Sequence, residues 1–259
     1  MAAEKHELWR KYWSLLHDAS DYIDCGYRRP HSAAAVPPPS AAPSPARRQG
    51  AGSGAAPAER QATAAAPPAA AATSPDELLA QIAEEIAGCT KCGLHSGRRY
   101  TVPGRGVIEP LAMFIGEAPG GEEDKSGIPF VGRAGQYLDK WLEAIGLSRD
   151  ENVFIGNIIK CRPPNNRDPN PDEIRTCLPY LQRQIEIIRP KTILTLGRIS
   201  SQVLSGRSSG IGALRGSTFR FMDIPCIPTY HPSGVLRNPE YRKPVWEDLQ
   251  RLRDLFSNA

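Results

Sequence analysis

The sequence predicts an α/β fold in three layers (α/β/α), built on a central, mainly parallel sheet of four strands. Two observations support this prediction. Short apolar runs with the length of buried strands occur four times, at 111–115, 153–159, 192–196 and 224–229. Helical patterns alternate with these runs, at 134–145, 172–188 and 199–204. Strands that alternate with helices are joined by crossover connections, so these strands are expected to lie parallel.

The first element of the predicted core is a helix with a clear start signal. Ser74 is placed as its N-cap, Pro75 as its first residue and Glu77 at its third position, which is the pattern of a capping box. One apolar face follows, formed by Leu79, Ile82 and Ile86. Gly88 ends the pattern, and a last helix over 245–256 closes the chain.

Two segments precede this core. Residues 31–73 are dominated by Ala and Pro, and they bury too little apolar surface to offset the entropy lost on ordering, so we expect a disordered linker. Residues 1–30 contain an amphipathic helix pattern that would be marginal in isolation. Its apolar stripe is expected to pack either on the core or on a partner protein. The folded domain is therefore predicted to span residues 74–259.

Charge and hydropathy exclude some classes of protein. The net charge of +4 at pH 7 is compatible with nucleic-acid contact without demonstrating it. No run approaches the roughly 18 apolar residues that a membrane span needs, and the N-terminus lacks the apolar core of a secretory signal. We therefore expect a cytoplasmic protein without membrane contact. Structural disulfides are rare in that compartment, so the six cysteines need another explanation.

Four cysteines have the spacing of a metal centre. They are Cys89, Cys92, Cys161 and Cys177. Zinc sites usually show two tight pairs, whereas 15 residues separate the second pair here, so the spacing favours an iron–sulfur cluster over zinc. Unligated thiols are the third alternative. Cys25 lies in the N-terminal segment, and Cys226 lies in a predicted strand as a small buried hydrophobe.

Polar motifs follow the predicted strands at the edge where such sheets bind ligands. The stretch GEAPGGEED (116–124) follows the first strand, Asn157 lies late in the second, and HPSG (231–234) follows the fourth. The glycines of the first motif allow close backbone approach. Its four acids would repel a phosphate, so we expect a different ligand there.

Together these residues resemble the family 4 uracil-DNA glycosylases, the iron–sulfur branch of the uracil-DNA glycosylase superfamily. The resemblance covers residues 75–256, and it rests on the cysteine spacing and on GEAPGGEED, GIPFVGRAG (127–135), GNIIKCRPPNNRDP (156–169) and HPSGVLRNP (231–239). It implies a uracil-DNA glycosylase-like fold and a monofunctional enzyme that initiates base-excision repair. Such an enzyme flips uracil out of single- or double-stranded DNA and hydrolyses its N-glycosidic bond, leaving an abasic site. We expect a monomer.

The resemblance also implies the roles of individual residues. The four cysteines would bind a 4Fe–4S cluster with a structural role. Phe130 would stack on the flipped uracil, and the amide of Asn157 would complement uracil N3–H and O4. His231 would donate to uracil O2, where negative charge grows as the bond breaks. Glu117, Ala118 and Pro119 would also line the uracil site.

The first motif departs from the family 1 enzymes in two ways. Ala118 occupies the position of the Asp that orients the attacking water there. Glu117 and Glu123 are then the candidates for handling the water, and the sequence does not separate them. Gly120 stands where family 1 has a Tyr that excludes thymine, so discrimination against thymine would fall to Glu123 or to neighbouring backbone.

Four residues are candidates for DNA contact: Arg162, Arg167, Leu236 and Arg237. The two first-named arginines lie in the Pro/Asn-rich loop between Cys161 and Cys177, which the cluster would brace against the phosphate backbone. Leu236 and Arg237 resemble the loop that enters the minor groove and fills the vacated stack.

Two alternative functions stay open. Superfamily relatives that trap the abasic product covalently carry an extra His-bearing loop after the first motif, but only KSGIP lies between Asp124 and Phe130. From another class, the chain would be a non-catalytic nucleic-acid-binding or polymerase-associated module, with the N-terminal helix as its tether.

Overall fold

The computed structural model describes residues 74–257. The predictions for the N-terminal helix, the linker and Cys25 lie outside the described residues. Strands within the described part are β1 (Arg105–Gly106), β2 (Ala112–Gly116), β3 (Val153–Asn157), β4 (Thr192–Leu196), β5 (Phe219–Phe221) and β6 (Ile224–Thr229). The helices are α1 (Pro75–Ala87), α2 (Gly121–Ser126), α3 (Arg133–Ala144), α4 (Pro171–Ile188), α5 (Arg198–Ser205), α6 (Ile211–Leu214), α7 (Pro232–Arg237) and α8 (Arg242–Ser257).

The strands form one sheet in the order β1-β3-β2-β4-β6-β5. Its four central strands are parallel and correspond to the four predicted runs, which confirms the predicted class and the mainly parallel centre. Two antiparallel edge strands, β1 and β5, extend the sheet to six in the described part of the chain. The prediction of four strands was therefore incomplete, because strands of two and three residues are too short to show a hydrophobic period.

The sheet lies between two apolar clusters, which gives the predicted three layers. One cluster packs α1 and α4 on the sheet and includes Ile82, Leu181 and Met113. The other packs α3 and α8 on the opposite face and includes Leu138, Leu252 and Phe114. Neighbouring strand residues such as Met113 and Phe114 enter opposite clusters, as the twofold period of a strand requires.

Helix α1 begins as predicted. The amide of Glu77 donates to Ser74 Oγ (3.2 Å), and the amide of Ser74 donates to Glu77 Oε2 (2.8 Å), which completes the capping box. Among the described helices, none is long and apolar enough to cross a membrane. The cytoplasmic location stays a prediction.

The strand register positions the functional site. In the β2–β3 pair, Gly116 lies opposite Asn157, so the first motif leaves the sheet beside the side chain of Asn157. Leu196 lies opposite Thr229 in the β4–β6 pair, and His231 follows two residues later. The three predicted motifs therefore emerge at the carboxyl edge of the parallel strands, where ligands of such sheets bind.

Candidate active site

Three predicted site residues meet around Gly116. A Cβ at this position would lie 2.4 Å from Asn157 Oδ1 and 2.7 Å from the ring of Phe130, so only glycine fits. The rings of Phe130 and His231 lie 5.7 Å apart between centroids and are tilted by 34°. An aromatic face, a planar amide and an imidazole thus converge at the end of β2.

Phe130 is held in an unusual backbone conformation. Its φ of +53° lies in the left-handed region, which a non-glycine residue occupies at a cost of roughly 1–3 kcal/mol. The residue is 6% exposed. The carbonyl of Phe130 rests so close to Gly135 that a Cβ there would lie 1.7 Å from the carbonyl oxygen. Gly135 is therefore required for the position of Phe130.

Asn157 carries a polar atom without a protein partner. The residue is 1% exposed, and Oδ1 has no hydrogen-bond partner among the described residues. Such an orphan acceptor costs about 1–3 kcal/mol. The backbone carbonyl of Asn157 accepts a hydrogen bond from Nζ of the buried Lys160 (3.0 Å). A fixed backbone with a free side-chain acceptor suits a ligand that brings its own N–H group.

His231 presents a neutral donor. It is the N-cap of α7, and its Nδ1 accepts from the amide of Ser233 (3.2 Å). Burial of the ring, with a smaller contribution from Arg237, lowers the pKa of His231 to about 4. Because Nδ1 is an acceptor, the proton of the neutral ring is on Nε2. His231 has the extended conformation that a following proline, here Pro232, favours.

The two candidate carboxylates have different surroundings. Glu117 is half-buried, and burial, assisted by the charge of Asp168, raises its pKa to about 7, while Arg198 opposes the shift. Glu123 is 9% exposed, and its Oε1 accepts from the amides of Val131 and Gly132 (3.0 Å each). Glu123 thus fixes the chain after Phe130, whereas Glu117 has no comparable pair of amide donors among the described residues.

The neighbours of Glu117 complete the loop. Ala118 packs against the apolar cluster of α1 and α4, and Pro119 is buried. The carbonyls of Gly116 and Glu117 accept from the amides of Ile158 (3.0 Å) and Ile159 (3.1 Å). The first motif is therefore tied to the segment that follows β3.

The four predicted cysteine ligands line one pocket on the side of α1 and α4. Cys161 and Cys177 are buried, Cys89 and Cys92 are half-buried, and all four are free thiols. Burial raises the pKa of Cys177 to about 11 and also raises the pKa of Cys161. Four thiolates therefore need a compensating positive centre. Among the described residues, no three Cys, His, Asp or Glu side chains converge as ligands of a single metal ion.

Arg98 belongs to the cysteine pocket. Its Nη1 donates to the carbonyl of Cys89 (2.7 Å) and to Cys161 Sγ (3.4 Å), and its Nη2 donates to the carbonyl of Ala87 (2.7 Å). The amide of Lys160 donates to Cys177 Sγ (3.3 Å). Cation and amide donors to sulfur are the usual surroundings of metal-bound thiolates.

The predicted DNA-contact residues differ in what they already bind. Arg167 makes two hydrogen bonds to the carboxylate of Glu173 (2.9 and 2.7 Å), so its charge is paired. Arg162 Nε donates to the neutral side chain of Asn166 (2.9 Å). Leu236, 40% exposed, and Arg237 end helix α7. We expected a loop there; His231 and Pro232 instead start a short helix.

Three contributors to the site were missed from the sequence. Arg149 contacts the backbone at Phe130, Lys160 contacts the backbone of Asn157, and Asp168 acts electrostatically on Glu117. Lys160 and Asp168 lie inside a motif, so their positions offered a signal. Arg149 lies outside every motif and offered none.

The chain is similar to known proteins over most of its described residues. A family model described as the uracil DNA glycosylase superfamily matches residues 103–250. A type-4 uracil-DNA glycosylase of Sulfurisphaera tokodaii is 48% identical over 186 residues, which cover 68% of this chain and 84% of that protein. Another, of Thermotoga maritima, is 43% identical over 185 residues, covering 70% and 96%. A DNA polymerase of Bacillus phage SP01 is 31% identical over 153 residues, covering 59% and 16%.

Proposed function

We propose a function for this chain from one premise: the chain belongs to the uracil DNA glycosylase superfamily, and within it to the type-4 uracil-DNA glycosylases. The chain flips uracil out of DNA and hydrolyses its N-glycosidic bond, which leaves an abasic site and initiates base-excision repair. The observation that carries this function is the buried, unpartnered Oδ1 of Asn157 beside the rings of Phe130 and His231.

Recognition of uracil follows from the polarity of the amide. Oδ1 of Asn157 accepts from uracil N3–H, and Nδ2 donates to O4, while the base stacks on Phe130. Cytosine presents an acceptor at N3 and an amino group at C4, so it would leave both groups of the amide facing like partners. A buried donor that faces a donor, or an acceptor that faces an acceptor, forms no hydrogen bond and is left unsatisfied. This penalty strongly favours uracil over cytosine.

Bond cleavage is assisted at uracil O2. As the N-glycosidic bond breaks, negative charge develops on the base, and Nε2–H of His231 donates to O2. A neutral imidazole is suited to this role, because it stabilises the charge without first giving up a proton to the base. The pKa of about 4 keeps the ring in that state throughout the neutral range.

Glu117 handles the attacking water, and Glu123 positions the segment after Phe130. Glu123 Oε1 accepts two amide hydrogens, so this carboxylate is committed to holding the backbone after Phe130. Glu117 has a pKa of about 7, within the range where a carboxylate both holds water and takes its proton. Ala118 and Pro119 shape the loop that carries Glu117.

The four cysteines hold a 4Fe–4S cluster. When bound, the cluster links the chain after α1 to β3 and α4 and contributes structural order rather than electron transfer. The wide separation of the second pair of cysteines favours this cluster over zinc, whose sites usually have two tight pairs.

DNA is contacted by Arg162, Leu236 and Arg237. Arg167 contributes indirectly, since its ion pair with Glu173 holds the start of α4. Activity on both single- and double-stranded DNA, a monomeric state and a cytoplasmic location accompany this function as predictions. A protein partner for the N-terminal helix concerns residues outside the described part.

The similarity to part of a phage DNA polymerase favours a second candidate, a nucleic-acid-binding module that accompanies a polymerase. The test is a single-turnover assay of uracil release by wild type, Asn157→Ala and His231→Ala. We expect Asn157→Ala to weaken selection of uracil over cytosine, and His231→Ala to slow cleavage about 100-fold with little change in binding.

Two results would contradict these assignments. Equal activity in all three proteins would remove Asn157 and His231 from the site. Wild-type protein that binds DNA but releases no uracil would favour the binding module.

A further inference from the structure

Arg149, in the connection between α3 and β3, contacts the backbone that carries Phe130. Its Nη2 donates to the carbonyl of Phe130 (2.8 Å) and its Nη1 to the carbonyl of Pro129 (3.1 Å). A longer contact reaches the carbonyl of Gly135 (3.3 Å). Nε of Arg149 pairs with Asp139 on α3, which fixes the plane of the guanidinium. One side chain therefore joins two carbonyls of the segment that carries Phe130 to the first turn of α3.

The same segment is held at its other end by Glu123. The amides of Val131 and Gly132 donate to Glu123 Oε1, so a cation binds the carbonyls before the turn and an anion binds the amides after it. Between the two lies Phe130, whose φ is +53°. A residue in this region of backbone space keeps its conformation only when its surroundings impose it.

Packing buries the ring of Phe130 against Gly116, but one side of the segment that carries the ring is less tightly packed. A cavity of about 340 Å³ borders the segment on the side of Arg149, and its lining includes Ile128, Phe130, Val131 and Ile155. On that side the chain meets less resistance to movement than close-packed neighbours would give. The polar contacts of Arg149 and Glu123 therefore add to the packing that keeps the ring of Phe130 beside Asn157 and His231.

We propose that Arg149 is a positioning residue for uracil recognition, acting through the backbone of Phe130. This inference rests on the proposed function, because it assigns Phe130 to the flipped base. Lysine is a poor substitute, since a single ammonium group lacks the planar fork that spans several carbonyls and Asp139 together. Misplacement of the ring by about 1 Å is enough to cost roughly 100-fold in rate.

The test is a double-mutant cycle with Arg149→Met and Phe130→Leu, read as single-turnover uracil release. We expect Arg149→Met to slow release about 10- to 100-fold in the wild-type background and less than about 3-fold in Phe130→Leu. An equal effect in both backgrounds would show that Arg149 does not act through Phe130. Arg183→Met is the matched control, because Arg183 makes a two-bond ion pair with Glu85 away from the site, and it should leave the rate unchanged.

A second measurement separates the positioning contact from the reaction. Hydrogen exchange of the peptide over 128–135, measured without DNA, should accelerate in Arg149→Met and not in Arg183→Met. Unchanged exchange would overturn the proposal, whereas a wild-type protein that releases no uracil would overturn the proposed function alone. Should Arg149→Met fold poorly, Asp139→Asn removes only the group that orients the guanidinium, and it should shift both readouts in the same direction.

Discussion

At the scale of single residues, Glu117 and His231 show how one environment serves two tasks. Burial disfavours the charged form of both side chains, so it raises the pKa of Glu117 to about 7 and lowers that of His231 to about 4. His231 is thus a neutral donor at every pH of interest. Glu117 changes its charge near neutrality, and the activity is expected to follow Glu117.

The raised pKa of Glu117 predicts that activity and stability change in opposite directions with pH. Activity should fall as the pH drops below about 7, because protonated Glu117 loses the carboxylate that holds the water. Stability should respond the other way. The folded state keeps a proton that the unfolded state releases above the ordinary glutamate pKa of 4.5, so this group lowers the free energy of unfolding as the pH rises from about 4.5 to 7.

Glu117→Gln tests both predictions. The variant should have low activity that no longer falls as the pH drops below about 7. It should also melt at a higher temperature than wild type at pH 8 but not near pH 4. Glu122→Gln is the control, since Glu122 is an exposed carboxylate of the same region that pairs with Lys125. If the activity of Glu117→Gln still falls below about pH 7 as in wild type, another group causes that fall.

Residues of the site differ in how far the sequence predicts them. The motifs predicted that Asn157 and His231 lie at one edge of the sheet, and the structure brings both beside Phe130, while their roles toward a base stay predictions. Arg149 was not predicted, because its role depends on which carbonyls the fold brings to a surface loop. Between these extremes lies Glu123: the sequence marks it, but only its contacts with Val131 and Gly132 show its task.

At the scale of elements, the cysteine pocket joins three parts of the chain. Cys89 and Cys92 follow α1, Cys161 follows β3, and Cys177 lies in α4. Arg98 adds a fourth contact, since it bonds the carbonyl end of α1 as well as Cys161 Sγ. Packing of α1 on the sheet is therefore expected to depend on an intact cluster.

Arg98→Leu should weaken cluster retention. Wild type should be a brown protein with about four irons per chain. Under a chelator, Arg98→Leu should lose iron several-fold faster, because the thiolate of Cys161 and the carbonyl of Cys89 lose their shared donor. Iron content and visible absorbance over time measure this effect.

Arg99→Leu serves as the comparison for Arg98→Leu. Arg99 is the exposed neighbour, with its guanidinium over the ring of Tyr100, and its variant should match wild type. Equal iron loss in both variants would remove the role given to Arg98. A colourless wild type that contains zinc would remove the cluster itself.

The elements were predictable where a period could be seen. Each central strand spans at least five residues, and the helices α1, α3, α4 and α8 each complete three turns or more. Helix α5 was predicted although it has only eight residues. The edge strands β1 and β5 have two and three residues, which is too short for an alternating pattern to be seen. Helix α7 has six residues including Pro232 and Gly234, so its composition indicates a turn, yet the His231 cap and the proline start a helix.

At the scale of the whole molecule, many cations of the described residues 74–257 are paired with carboxylates. Arg167, Arg183 and Arg198 each contact a carboxylate, which leaves fewer cations for DNA than the sequence suggests. Salt dependence measures how many phosphates the protein neutralises. Substitution of an arginine without a carboxylate partner should therefore change the salt dependence of DNA binding more than substitution of a paired arginine.

We expect the logarithm of the DNA association constant to fall linearly with the logarithm of salt concentration. Arg162→Ala and Arg237→Ala should each reduce the slope by about one, as loss of one phosphate contact does. Arg167→Ala should leave the slope close to wild type and lower the melting temperature instead, because it leaves the nearly buried Glu173 without its partner. A slope change in Arg167→Ala would place that arginine on DNA.

The short segment between Asn157 and Cys161 links the candidate base site to the cysteine pocket. Lys160 lies within it, bonding the carbonyl of Asn157 through Nζ and the sulfur of Cys177 through its amide. Loss of the contact at Cys177 Sγ would therefore disturb the turn that carries Asn157. Substitution of Cys177 is thus expected to change base recognition as well as the cysteine pocket.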